Sequence, residues 1–201
     1  DKVRKKLRVT RNEEALYDLK LELETVYLLL REKTLSLAYE PEHSRQIRSP
    51  DFAVTFTSSL TFMVEVTRLR SVKESGNSPV DLSGAERLTE AVCSKLGQLL
   101  PQRSNILIVG MENPVLTQPE LDSTMLRLRQ RAEQNDAALF KRYHFRDRAD
   151  FFRQYGRLSE VMVRGTELQP DEPVANWVNT QAKHPLPGKV RTVLYRSHSV
   201  V

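Results

Sequence analysis

The chain has 201 residues, 39% of them apolar and 28% charged, which suits one domain of ordinary size with a sizeable core. Its net charge of +5 is a mild basic bias that admits a nucleic-acid partner without requiring one. The chain lacks a membrane-length apolar run and has a polar, basic start unlike a signal peptide. A single cysteine, Cys93, excludes an internal disulfide framework and sets a cytoplasmic expectation.

Residues 1–11 form a basic N-terminal segment carrying Lys2, Arg4, Lys5, Lys6, Arg8 and Arg11. It reads either as a solvated tail or as a phosphate-contacting arm. Residues 12–201 read as a single α/β domain, with 12–110 as its core and 111–201 as a C-terminal extension packed on it. Asn12–Lys33 is expected as a long helix. Asn12 is a fitting N-cap, and Glu13 and Glu14 lie at the positive end of the dipole. Leu16, Leu19, Leu23, Val26 and Leu30 recur at three- and four-residue steps and predict its buried face. Glu22 falls at the flank of that face.

Thr34–Tyr39 alternates as a strand. After a polar connection, Phe52–Phe56 and Thr61–Leu69 alternate again and read as a hairpin turning at Thr57-Ser58-Ser59. Phe62, Val64 and Val66 face one way; Met63, Glu65, Thr67 and Leu69 face the other. Ser75–Pro79 is rich in turn formers. Gly84–Leu100 is expected as a helix ended by Pro101. Asn105–Gly110 is a continuous apolar strand buried on both faces. The order strand, helix, strand argues a right-handed crossover onto one sheet. Beyond it come helices at Leu121–Gln134 and Asp147–Tyr155, a strand at Leu158–Arg164, and a last short helix near Val190–Tyr195. Basic residues concentrate a second time between Arg127 and Arg157.

Two acids stand out. Asp51 opens one strand of the hairpin and Glu65 sits inside its neighbour. Paired strands lie about 4.8 Å apart, so the two carboxylates are close enough to share one ion. Phosphodiester cleavage needs a nucleophilic water and a neutraliser of phosphate charge, and Mg²⁺ held by one or two carboxylates supplies both. A nearby ammonium stabilises the developing charge. Burying Glu65 among Met63, Val64, Val66 and Leu69 without a partner would be costly, so it requires a cation, a metal or an edge facing water.

Pro50-Asp51 followed by Glu65-Val66-Thr67 resembles the signature of the PD-(D/E)xK nuclease superfamily. The order of helix, acid-bearing strands, helix and buried strand from Asn12 to Gly110 resembles its fold. The resemblance implies a restriction-endonuclease-like core: a central mixed sheet flanked by helices. It also implies Asp51 and Glu65 as Mg²⁺ ligands, a DNA or RNA substrate, and a homodimer as one quaternary arrangement. The third signature position is lysine in that family, and here it is Thr67, which carries no charge.

Lys95 stands in the apolar stripe of Leu88, Val92 and Leu99, where its stem either packs and snorkels out or its amine crosses the sheet face to Glu65. Gln98, one turn on, is a candidate polar partner for metal-bound water or phosphate. The resemblance makes Glu22 a third candidate carboxylate. Arg45, Arg48 and Arg68 are candidate nucleic-acid contacts. His144 and Cys93 read as structural. The four scattered histidines do not suit a zinc site, and no phosphate-cradling glycine loop is present. These residues point to a Mg²⁺-dependent nuclease-like phosphodiesterase. The alternative is a non-catalytic nucleic-acid-binding or protein-interaction module on the same fold, which Thr67 motivates.

Overall fold

The computed structural model describes residues 2–41, 50–69, 83–112, 115–168 and 174–198, with the side chains of residues 2 and 3 left aside. The elements in chain order are α1 (Lys2–Val9), α2 (Glu13–Leu30), β1 (Leu35–Tyr39), β2 (Phe52–Phe56), β3 (Leu60–Leu69), α3 (Gly84–Leu96) and β4 (Asn105–Met111). They continue as α4 (Gln118–Glu133), α5 (Ala137–Arg142), α6 (Arg148–Tyr155), β5 (Leu158–Gly165), β6 (Ala175–Val178) and α7 (Gly188–His198). Expected loop residues Ser75–Pro79 lie outside the described residues, as do Arg45 and Arg48.

The strands form one mixed sheet in the order β1-β2-β3-β4-β5-β6. β1, β2 and β3 pair antiparallel; β3, β4 and β5 pair parallel; β6 returns antiparallel to β5. The parallel β3–β4 pair requires a crossover, which α3 supplies. β4 lies in the middle of the sheet and is buried throughout, as its unbroken apolar run demands. The segment after residue 110 contributes two strands to this same sheet.

Helices cover both faces. On one side α2 and α7 pack on Phe52, Val54, Phe62, Val64, Val66, Ile106 and Ile108. On the other, α3, α4 and α6 pack on Leu69, Leu107, Val109, Met111, Val161 and Val163. The period-2 pattern of the hairpin is thereby divided: even-numbered apolar residues of β3 meet α2, and odd-numbered ones meet α3.

Sequence and structure differ on α2. Its buried residues are Leu19, Leu21, Glu22, Thr25, Leu28 and Leu29. Leu16 and Leu30, expected inside, are 42% and 53% exposed. The helix carries apolar residues on two sides, so its periodicity alone does not select the side that meets the sheet. The choice is visible at Gly110 on β4, where a Cβ would stand 2.6 Å from Leu21 Cδ2. The absent side chain lets α2 settle on that face. The basic segment also differs: residues 2–9 form a helix rather than a tail.

Local signals cap the starts of two helices. Asn12 accepts from the Glu14 N–H at 2.9 Å, and Ser83 and Glu86 form a reciprocal capping box at the start of α3. α3 stops at Leu96, four residues before the predicted end. The turn that follows is held by Asn105: its Oδ1 accepts from Leu100 N, and its Nδ2 donates to the Leu100, Arg103 and Arg157 carbonyls.

Candidate acidic site

β2 pairs with β3 from Phe56↔Leu60 to Phe52↔Val64. Continuing that register sets Asp51 opposite Glu65, on the sheet face covered by α3. Past the end of the ladder, the Asp51 carboxylate takes the place of a strand partner and accepts the Val66 N–H at 2.8 Å. This ties the first acid to the strand bearing the second, one residue beyond it.

Glu65 is 6% exposed. Its Oε1 lies 2.6 Å from Lys95 Nζ, which reaches it from the last turn of α3. An ammonium in that turn also complements the negative end of the helix dipole. An amine thus reaches the strand acid from a helix. Thr67 lies on the same strand face, half-buried, two residues past Glu65.

Asp51 shows the electrostatic consequence. Burial first, and the neighbouring Glu65 charge second, push its carboxyl up to about 7. The Val66 N–H and the Lys95 ammonium oppose that rise, and the Glu22 charge adds to it. Lys95 balances Glu65, and Asp51 holds its proton up to about pH 7, so the place becomes net negative, and favours a cation, as Asp51 ionises.

Gln98 follows Lys95 by one turn. Its Nε2 has a long bond of 3.4 Å to the Ser94 carbonyl, while its Oε1 is buried without a hydrogen-bond partner among the described residues. A buried acceptor left in this state is short of a donor.

The donor set can be tested against Mg²⁺. Among the described residues, no three or more His, Cys, Asp and Glu side chains converge as a ligand cage. Mg²⁺ does not need one, because it keeps several waters and takes one or two carboxylates. Asp51 and Glu65 supply that number of hard oxygen donors. In kind and number these two carboxylates match what such an ion takes from a protein.

Glu22 is placed differently from the other acids. It comes from α2, on the opposite face of the sheet, and is 8% exposed. Lys6 Nζ lies 2.9 Å from both of its carboxylate oxygens, and the Tyr39 hydroxyl donates to Oε2 at 3.0 Å. Burial works against the Lys6 charge, but hydrogen bonding to Tyr39 and Glu22 outweighs it and holds the ammonium above its usual range. The site nevertheless stays continuous along the chain ends of β1 and β2, since the Glu40 N–H donates to the Asp51 carbonyl at 2.8 Å. Lys6 and Tyr39 escape sequence reading. One sits in a segment that reads as a tail, and the other reads as a strand residue whose hydroxyl reach depends on how α2 docks.

The remaining candidates separate. Arg68, expected as a nucleic-acid contact, is a correction: its side chain is 3% exposed. Glu14, Asp18 and Glu112 enclose its guanidinium, with Asp18 Oδ1 at 3.0 Å and Glu112 Oε1 at 2.9 Å. Three carboxylates already saturate that fork, so it is not presented to a polyanion. Glu160 is a second buried strand glutamate, on β5, but Arg191 Nε at 2.5 Å and the Tyr195 hydroxyl at 3.0 Å occupy its two oxygens. Cys93 is buried, which pushes its thiol up to about 12 and removes it as a nucleophile.

Comparison of the chain with protein-family models, curated proteins and solved structures returns no match.

Proposed function

We propose that the chain is a Mg²⁺-dependent phosphodiesterase acting on DNA or RNA, built on a restriction-endonuclease-like core. The observation that carries this reading is the meeting of Lys95 Nζ and Glu65 Oε1 at 2.6 Å, beside an Asp51 held to the same strand at Val66 N. The strand order supports it too: an antiparallel pair bearing the acids, then a parallel strand reached through the helix that bears the lysine.

In this reading Asp51 and Glu65 hold the metal. The bound ion supplies an activated water and neutralises charge on the phosphate. Lys95 contributes the fixed positive charge that Thr67 cannot, aimed by its bond to Glu65 toward the phosphate oxygens that gain charge in the transition state. Burial of Glu65 and Lys95 strengthens that interaction by excluding water.

The test is hydrolysis of single-stranded DNA, duplex DNA and RNA with Mg²⁺ or Mn²⁺, alongside calorimetric titration of the metal alone. Cleavage should fall at least about a hundredfold in Asp51→Asn and Glu65→Gln, as expected when charge stabilisation at the reacting centre is removed, and metal binding should fall with it. A protein that neither cleaves nor binds metal through these two acids would defeat the reading. Nucleic-acid binding indifferent to Glu65→Ala would instead favour the non-catalytic module.

A further inference from the structure

The two basic concentrations of the chain are treated differently by the fold. In the second, Arg129 pairs with Glu133, Arg131 with Asp136 and Arg142 with Glu90, while Arg146 and Arg153 both pair with Asp150. Those five arginines share four carboxylates, while Arg127, Lys141 and Arg148 of the same stretch are exposed without an ion pair among the described residues, so the second cluster is partly neutralised within the protein. In the first, Arg4, Lys5 and Arg8 on α1 are exposed and make no ion pair or hydrogen bond among the described residues.

Helix geometry explains the difference. At about 100° per residue, Arg4, Lys5 and Arg8 share one side of α1 while Lys6 and Leu7 lie on the other. The inner side is anchored. Lys6 Nζ bonds both oxygens of Glu22 at 2.9 Å, approaches Glu40 Oε1 at 3.9 Å and lies 5.6 Å from the Tyr39 ring centre. Leu7 lines an apolar groove with Leu16, Leu19 and Leu23 of α2. Glu40 is itself bonded through its backbone to Asp51. α1 is thus seated next to the acidic site by its one inward lysine, and its outer side carries uncompensated cations.

We propose that α1 is a docking helix for the phosphodiester backbone of a nucleic acid, seated beside Asp51 by the Lys6–Glu22 pair and presenting Arg4, Lys5 and Arg8 to consecutive phosphates; the choice of polyanion rests on the phosphodiesterase reading. Phosphate contacts of this kind set position and register without reading sequence. An anionic membrane is the competing polyanion. Leu7 and Val9 of α1 are 46% and 67% exposed, so the nucleic acid is chosen over a membrane by the neighbouring acidic site, and the vesicle arm of the experiment separates the two. In this arrangement Glu22 is a positioning residue that seats α1, not a metal ligand.

The experiment measures binding of short single-stranded and duplex oligonucleotides to the full chain, without divalent metal, across a salt series. In the triple variant Arg4→Ala, Lys5→Ala, Arg8→Ala, the slope of log K against log[salt] should shrink by about 2–3, at 0.7–0.9 per phosphate contact. Lys6→Ala should weaken binding while leaving the three outer cations in place, because α1 loses its seat. An unchanged slope in the triple variant overturns the proposal. So does a triple variant that keeps its oligonucleotide affinity but no longer binds phosphatidylserine vesicles. Failure of the two readings separates cleanly. An unchanged slope in a protein that cleaves through Asp51 and Glu65 sinks the docking helix alone. A reduced slope in a protein that neither cleaves nor binds metal sinks the phosphodiesterase alone.

Discussion

Lys95 Nζ and Glu65 Oε1 meet at 2.6 Å from residues 30 apart in the chain, one on the last turn of a helix and one inside a central strand. Both are largely shielded from water, Glu65 at 7% and Lys95 at 16% exposure of the side chain. The pair therefore couples the stability of the fold to the charge balance of the site.

That coupling makes the two roles separable. Lys95→Ala leaves a buried carboxylate unpaired and should cost about 3–5 kcal/mol, the usual penalty for breaking a buried pair from one side. The double variant Glu65→Gln, Lys95→Met removes both charges and should recover most of that loss while leaving metal-dependent cleavage absent. Chemical denaturation of the three proteins measures the first effect, and the nuclease assay the second. Lys95→Met with full stability and full cleavage would make the lysine a bystander.

The pH dependence follows from Asp51. Its native value of about 7 stands above the 3.8 of an unperturbed aspartate. The native state holds that proton more tightly than the unfolded chain. Its contribution to stability is therefore greatest below pH ~4 and is lost as pH rises through about 7. Metal binding runs the other way, because the ion needs the ionised carboxylate. Mg²⁺ affinity should climb with pH and level off above about 7, and Asp51→Asn should flatten both curves. Thermal melts and metal titrations across this range check the signs. Stability that rises between pH 4 and 7 through Asp51 would contradict the site's electrostatics.

Arg68 should behave as a structural cation. It joins α2 to the ends of β3 and β4 through Glu14, Asp18 and Glu112. Arg68→Met should cost about 3 kcal/mol, because three carboxylates lose one shared counter-ion, yet leave the salt dependence of nucleic-acid binding unchanged. Weaker nucleic-acid binding with unaltered stability would return Arg68 to the list of phosphate contacts.

Much of the acidic site was legible because it depends on short-range periodicity. Alternation in Phe52–Phe56 and Thr61–Leu69 sets the hairpin and its two faces, and a hairpin register sets Asp51 against Glu65. Helical phase then turns Lys95 toward the sheet with Leu88, Val92 and Leu99. The same reasoning failed on α2, where apolar residues on both sides leave the phase undecided, and on residues 2–9, whose charge concealed a helix. Arg68 misled for a related reason: alternation says which face a residue takes, but not that Glu14 and Asp18 from a helix start will close over it.

By itself, then, the chain determined the helices and strands with strong periods, the buried central strand and the pairing of two acids on neighbouring strands. These follow from local propensity and side-chain period, which act over a few residues. Only the tertiary structure decided that Lys95 reaches Glu65, that Gln98 keeps a buried unpaired oxygen, and that Glu22 serves Lys6 rather than Asp51. Each of those depends on where a helix comes to rest on the sheet. That position is set by packing, such as Leu21 over the bare Gly110, between residues far apart in sequence.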